Sequence, residues 1–235
     1  MVLQSSGKAQ AMPRTARASE GNLCYHVLNR GNRRAEVFHK PDDYAAFLQA
    51  MVEASVRLPM RIAAYCLMPN HFHLVLRPHE DGDLSRWMQW LLTTHVRRYL
   101  RHYHHGGHVW QGRFKAFPAQ DDEHLVTVVR YVERNALRAG LAAKAEDWPW
   151  SSLSNRAVGP RIDLETLPRN DGWADFVNAP MTEADAEADA EADAVRLSIV
   201  RDRPFGGESW TLATAQRLGL TSSLNPRGRP KHKIV

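Results

Sequence analysis

The sequence predicts an α+β fold: a four-stranded sheet with helices on its faces, in the order βαββαβ, followed by one added helix. Three observations predict it. Short strand-like runs recur at residues 23–28, 61–67, 71–76 and 109–119. Residues 41–58 and 84–103 carry apolar side chains at helical spacing between those runs. A third helical pattern, residues 122–139, follows the last strand and stops at Gly140.

In order, residues 1–21 are polar and small with Lys8, Arg14 and Arg17, and read as a disordered basic arm. The first strand ends in Asn29-Arg30-Gly31-Asn32-Arg33-Arg34, which is either a loop following a phosphate backbone or a solvated turn. Residues 36–39 read as a short strand. Pro41-Asp42-Asp43 opens a helix, with acids at its positive end and Phe47, Met51, Ala54 and Leu58 as its stripe. Strand 61–67 turns through Met68-Pro69-Asn70 into the next strand. Asp83 or Ser85 caps a helix whose stripe includes Trp87, Leu91, Tyr99 and Tyr103, and the two tyrosines read as core. Trp148-Pro149-Trp150-Ser151-Ser152 reads as an aromatic strap. This order is that of a ferredoxin-like split βαβ sandwich, and four strands can support it without residues 160–235. The expected organisation is an arm at 1–21, a catalytic unit at 22–158, a linker or extension at 159–200, and a small element with a basic tail at 201–235. Residues 183–194 are three tandem Glu-Ala-Asp-Ala copies, either a helical spacer or an acidic linker.

Function is most legible in Met68-Pro69-Asn70-His71-Phe72-His73-Leu74-Val75-Leu76. Side chains alternate along a strand, so His71 and His73 share one face, about 7 Å apart, while Phe72, Leu74 and Leu76 take the other. Two such imidazoles can share a metal ion, or stand unliganded on a half-exposed strand. In the last helix the apolar stripe is Leu125, Val128, Val129, Val132 and Ala136. Tyr131 falls beside it on a polar, basic face with Arg134, Asn135 and Arg138, and Asn135 sits one turn on. A phenol there is either an exposed helix tyrosine or a nucleophile toward a phosphate polarised by a divalent ion on the histidines. The Asn135 amide oxygen could complete such a site, with Mg or Mn as the ion and zinc as an alternative.

These residues carry a family resemblance. The histidine stretch resembles the HUH motif of single-strand DNA transposases with one tyrosine. More closely, the chain resembles the REP-associated tyrosine transposases. Besides that stretch, Tyr25-His26-Val27-Leu28-Asn29-Arg30-Gly31-Asn32, Trp110-Gln111-Gly112-Arg113-Phe114-Lys115, Tyr131-Val132-Glu133-Arg134-Asn135-Ala136-Leu137-Arg138-Ala139-Gly140-Leu141 and the aromatic strap carry it, in the family's order. The resemblance implies a sandwich of the HUH endonuclease type. It implies Tyr131 as nucleophile, His71 and His73 as metal ligands, and Asn135 as the third ligand. The implied reaction cuts a single-stranded palindromic hairpin, keeping the 5′ phosphate on tyrosine. Ala136 stands where relatives usually have Pro.

A net charge of +5, with six acids concentrated in residues 183–193, leaves the rest of the chain more basic still and favours an anionic partner. Arg30, Arg33, Arg34, Arg113 and Lys115, with Asn29, Arg134 and Arg138, are the candidate DNA contacts. Trp110 or Phe114 either stacks on an unpaired base or packs in the core. Arg227 and Arg229 flank a glycine in an AT-hook-like tail, a pattern suited to a narrow minor groove. Cys24 and Cys66 are two thiols without a Cys-x-x-Cys pattern, which excludes a zinc ribbon or a disulfide scaffold and points to reducing cytoplasm. No apolar run is long enough to span a membrane. The expected activity is metal-dependent cleavage and rejoining of hairpin DNA by a nucleoid-associated protein, as monomer or homodimer. The alternatives are a non-catalytic hairpin-binding protein and a metal phosphodiesterase using activated water.

Overall fold

In the computed structural model the described residues are 19–104, 106–154, 159–163, 165, 167, 169–179 and 190–225. Most of the basic arm with Lys8, Arg14 and Arg17, residues 183–189 of the acidic repeat, and the tail with Arg227 and Arg229 lie outside them.

Four strands form one antiparallel sheet: β1 (Cys24–Arg30), β2 (Met60–Met68), β3 (His71–Pro78) and β4 (Lys115–Ala119), in the spatial order β2-β3-β1-β4. That is the split βαβ arrangement. Period-2 alternation along β3 sends Phe72, Leu74 and Leu76 to one face, where α1 (Pro41–Arg57) and α2 (Asp83–Tyr103) bury them against Phe47, Met51, Trp87 and Leu91. The other face, with Cys66, Val75 and Phe117, is covered by α3 (Glu123–Glu133) through Leu125, Val128, Val129 and Val132.

Several local expectations differ from the fold. Residues 36–39 form no strand; Val37 and Phe38 instead donate backbone N–H bonds to Pro69 O, which fastens this segment to the β2–β3 turn. The strand expected at 109–119 begins only at Lys115, because Val109, Trp110 and Phe114 are buried on the α1–α2 side as a packed loop. Trp110 contacts Phe38, Phe47, Phe72 and His95, which makes it a core ring and not a base-stacking platform. Asp83 is the first residue of α2 and not its cap; Gly82, at φ +84°, holds the cap position. Tyr99 and Tyr103 are half-exposed at the rim, with the Tyr103 hydroxyl donating to Asp43 at 2.6 Å.

The helix expected at 122–139 is broken. α3 ends at Glu133, and α4 (Asn135–Arg138) starts after Arg134. Asn135 Nδ2 donates to Tyr131 O at 2.8 Å, using the carbonyl that an uninterrupted helix reserves for the Asn135 N–H.

Both sheet edges are covered. The aromatic strap runs along β2, with Leu67 N donating to Trp150 O and Ser152 N to Tyr65 O, each at 2.9 Å. Phe205 makes the matching contact on β4, accepting from Gln120 N and donating to Pro118 O. The C-terminal segments pack onto this unit. α5 (Trp173–Asn178) lies against α3, α6 (Ala190–Arg201) against α3 and β4, and α7 (Glu208–Arg217) follows the Phe205 contact. Their anchor is Glu133, which is fully buried. Its carboxylate accepts from Trp173 Nε1 at 2.7 Å and Ser152 Oγ at 2.5 Å, and pairs with Arg169 Nη2 at 2.8 Å.

Removing one partner from such a buried pair leaves the other charge uncompensated. Glu133→Ala is expected to lower unfolding free energy by about 3–5 kcal/mol in urea denaturation. A loss below about 1 kcal/mol, the range of exposed pairs, contradicts the anchoring role.

Candidate active site

The β1–β3 register places Arg30 opposite His71 and Leu28 opposite His73. Around them opens a cleft of about 620 Å³, lined on the sheet side by Asn29, Arg30, His71, His73 and Lys115. Tyr131, Asn135 and Arg138 come from the broken helix, Gln111 and Arg113 from the loop before β4, and Arg196, Ile199 and Val200 from α6. Tyr131 and Asn135, four residues apart, both line this cleft across the break at Arg134. Tyr131 is only 5% exposed, with its ring 5.9 Å from that of His73, so its polar helix face is the cleft floor and not open solvent.

His71 is oriented by a short chain of bonds. Asn70 Nδ2 donates to Arg34 O at 3.1 Å, which turns its Oδ1 toward His71 Nδ1 at 2.6 Å. Since Oδ1 only accepts, His71 carries its proton on Nδ1 and leaves Nε2 bare. His73 Nδ1 lies 2.8 Å from Nε2 of a third histidine, His26, which is fully buried on β1. Sequence reasoning missed His26. Its signal was an ionisable residue between the core residues Tyr25 and Val27, on the opposite strand face.

Burial drives all three imidazoles toward the neutral form. It pushes His26 down to about 3 and His71 down to about 4, the latter aided by the Arg30 and Arg138 charges. Burial, then the neighbouring His26 and His71, hold His73 well below its ordinary value. Neutral imidazole is the ligand form.

Arg138 is the cation closest to the chemistry. Its Nη2 donates to the Tyr131 hydroxyl at 3.3 Å and to Asn135 Oδ1 at 3.0 Å, and its guanidinium lies 4.9 Å from the Tyr131 ring centre. Asn135 Oδ1 keeps a second lone pair toward the cleft. Among the described residues the lining carries five cations, Arg30, Arg113, Lys115, Arg138 and Arg196, and no carboxylate. Lys115 and Arg196 also pair with Asp202 and Asp193, so Arg30, Arg113 and Arg138 are the more available charges.

The remaining expected contacts lie elsewhere. Arg134 turns away and donates to the carbonyls of Val177 and Asn178, tying α3 to α5, which removes it from the cleft. Asn29 spends its amide on Gly112 O and the Arg30 N–H, so it shapes the wall. Arg33 and Arg34 are exposed in a 3-10 turn just outside the cleft. Gly31 precedes them because a Cβ there would meet Ala35 O at 2.1 Å. A separate cluster of Asp122, Glu123 and His124 is the cap of α3, with Asp122 Oδ1 accepting from His124 N, and none of the three lines the cleft.

Residues 19–135 match the family model described as IS200-like transposase. The chain belongs to the IS200-like transposase family. The matched segment of this IS200-like chain contains every strand, both histidines, Tyr131 and, at its end, Asn135. The REP-associated tyrosine transposase of Escherichia coli K12 is 24% identical over 136 residues, 57% of this chain and 78% of that protein. A Haemophilus influenzae relative is 26% identical over 118 residues, 46% of this chain and 66% of its own length. A solved REP-associated tyrosine transposase bound to a REP hairpin superposes with a TM-score of 0.50 at 19% identity, covering 65% of this chain and 99% of that one. That likeness bears on the fold. Among the described residues, no helix is long and apolar enough to cross a membrane.

The depressed histidines make a pH prediction. Unfolded histidine titrates near 6.5, and these titrate lower when folded. Each therefore contributes stability present above about pH 6.5 and lost as pH falls toward 4, at up to about 1.4 kcal/mol per pH unit. Urea midpoints in metal-free buffer are expected to fall steeply between pH 6.5 and 4. A midpoint unchanged down to pH 4.5 contradicts the neutral, buried assignment.

Proposed function

We propose that this protein cuts and rejoins single-stranded, hairpin-forming DNA of the REP type through a phosphotyrosine on Tyr131. The observation that carries the reading is a phenol held in one cleft with two neutral imidazoles and five cations, with no carboxylate among the described lining residues. That environment attracts a phosphodiester and repels nothing anionic. Membership of a transposase family, and the REP hairpin bound to the solved relative, support the same substrate class.

Tyr131 Oη attacks phosphorus, and the bond from phosphorus to the 3′ oxygen breaks. The phenol releases its proton, and the 3′ oxygen leaves as a hydroxyl. The 5′ phosphate stays on tyrosine. In rejoining, a 3′ hydroxyl attacks the phosphotyrosine, and the phenol is restored. One diester is exchanged for another, so no external energy source is required. Arg138, bonded to the Tyr131 hydroxyl, aims it and neutralises the phosphate that arrives beside it. Arg30, Arg113 and Lys115 hold the flanking backbone, and Arg33 and Arg34 extend that path outside the cleft.

The donor set fits a divalent cation. His71 and His73 would hold it through Nε2, with Asn135 Oδ1 as third donor, and Mg or Mn is the proposed ion. When bound, such an ion supplies Lewis-acid polarisation of a phosphate oxygen.

The test is cleavage of a labelled hairpin oligonucleotide in Mg or Mn buffer. Tyr131→Phe is expected to abolish cleavage while hairpin binding persists. Arg138→Ala is expected to slow cleavage by about 10²-fold, as loss of a transition-state donor does. Cutting that survives Tyr131→Phe but not His71→Ala assigns the attack to activated water. Hairpin binding without cleavage by the wild type assigns a binding protein.

A further inference from the structure

His26 is a buried ionisable residue to which no role in the chemistry has yet been given. It lies on β1, opposite Val75 and therefore diagonal to His73, and is fully buried. Its Nε2 is 2.8 Å from His73 Nδ1, while its own Nδ1 has no hydrogen-bond partner among the described residues. Two neutral imidazoles in contact share one proton across that bond, and there are two ways to place it. If His26 donates, His73 must carry its proton on Nε2, toward the cleft. If His73 donates, its Nε2 is a bare lone pair.

The surroundings decide between them. With His26 accepting, its own proton sits on Nδ1 as an unpartnered buried donor, a cost that the charges around His73 must outweigh. His73, however, lines a cleft with Arg30, Arg113 and Arg138 and, among the described residues, no carboxylate. The bare nitrogen is the negative end of an imidazole, and cations favour it over an N–H pointed at them. His71 is already set the same way by Asn70, so the second arrangement gives the pair matching lone pairs.

We propose that His26 is a positioning residue: it accepts the Nδ1 proton of His73 and so holds the Nε2 lone pair of His73 in the cleft before any metal arrives. A metal-ligating histidine usually donates its other N–H to a carboxylate or carbonyl; here a neutral histidine takes that part. The consequence for the metal rests on His73 being a ligand, as proposed above. The tautomer itself does not.

The test is long-range ¹H–¹⁵N correlation on metal-free protein with ¹⁵N-labelled histidine, with the His73 signals assigned by their loss in His73→Gln. His73 is expected to show protonated Nδ1 and a bare Nε2. His26→Leu, which fills the site without an acceptor, is expected to move the proton to Nε2 and to weaken Mn binding by calorimetry about 10–100-fold. His26→Gln places an amide oxygen near the lost nitrogen and is expected to restore both. A purely structural role would not give this rescue or move the tautomer. An Nε2-protonated His73 in the wild type overturns the proposal whatever the His26 variants do. So does a His26→Leu protein with an unchanged tautomer. If the wild type shows the expected tautomer yet binds no Mn, the positioning by His26 stands and the ligand assignment of His73 fails.

Discussion

The pairing of β1 with β3 is the constraint on which the rest of the molecule depends. Side-chain direction alternates with period 2, so a one-residue slip would carry His71 and His73 into the α1–α2 core and send Phe72 and Leu74 to the cleft. Phe72, Leu74 and Leu76 are fully buried, and moving them to the cleft face would be far costlier than any gain from the histidines. The hydrophobic core thus fixes the histidine face. The same register sets Arg30 against His71 and His26 diagonal to His73. Asn70, immediately before the strand, then orients the first imidazole from the turn.

The second half of the site depends on a helix that does not continue. The Asn135 side chain competes for the Tyr131 carbonyl, and the chain restarts at α4. Phenol and amide line one cleft, with the Arg138 guanidinium over the tyrosine ring. The buried Glu133, next to this break, ties α3 to the strap through Ser152 and to the C-terminal segments through Arg169 and Trp173. α6 in turn supplies Arg196, Ile199 and Val200 to the cleft wall, and Lys115 reaches across to Ile199 O. The described residues of α5 and α6 are therefore packed participants, although four strands suffice for the sheet.

The βαββαβ order was legible because the hydrophobic periods are clean: Phe47, Met51 and Ala54 mark a helix, and Phe72, Leu74 and Leu76 mark a strand. Alternation put His71 and His73 on one strand face and helical spacing put Tyr131 on a polar, basic face, but spacing left an exposed tyrosine open, and the fold closes the cleft around it. What was not legible depends on partners distant in sequence. Trp110 and Phe114 read as strand residues open to base stacking or core packing until Phe38, Phe47 and Phe72 surround the first of them. Arg134 shares a helical face with Tyr131 in projection, yet its guanidinium is taken by the carbonyls of Val177 and Asn178 at the end of α5. His26 is 47 positions from His73, and only the strand register joins them.

Electrostatics and geometry converge on one oxygen, the Tyr131 hydroxyl. Its decisive measurement is mass spectrometry of the protein after incubation with a hairpin oligonucleotide in Mg or Mn buffer, followed by proteolysis. The expected result is a peptide containing Tyr131 that carries a DNA fragment through its 5′ phosphate, with a free 3′ hydroxyl on the released strand. Cleaved DNA with an unmodified Tyr131, or an adduct on another residue, would contradict the account.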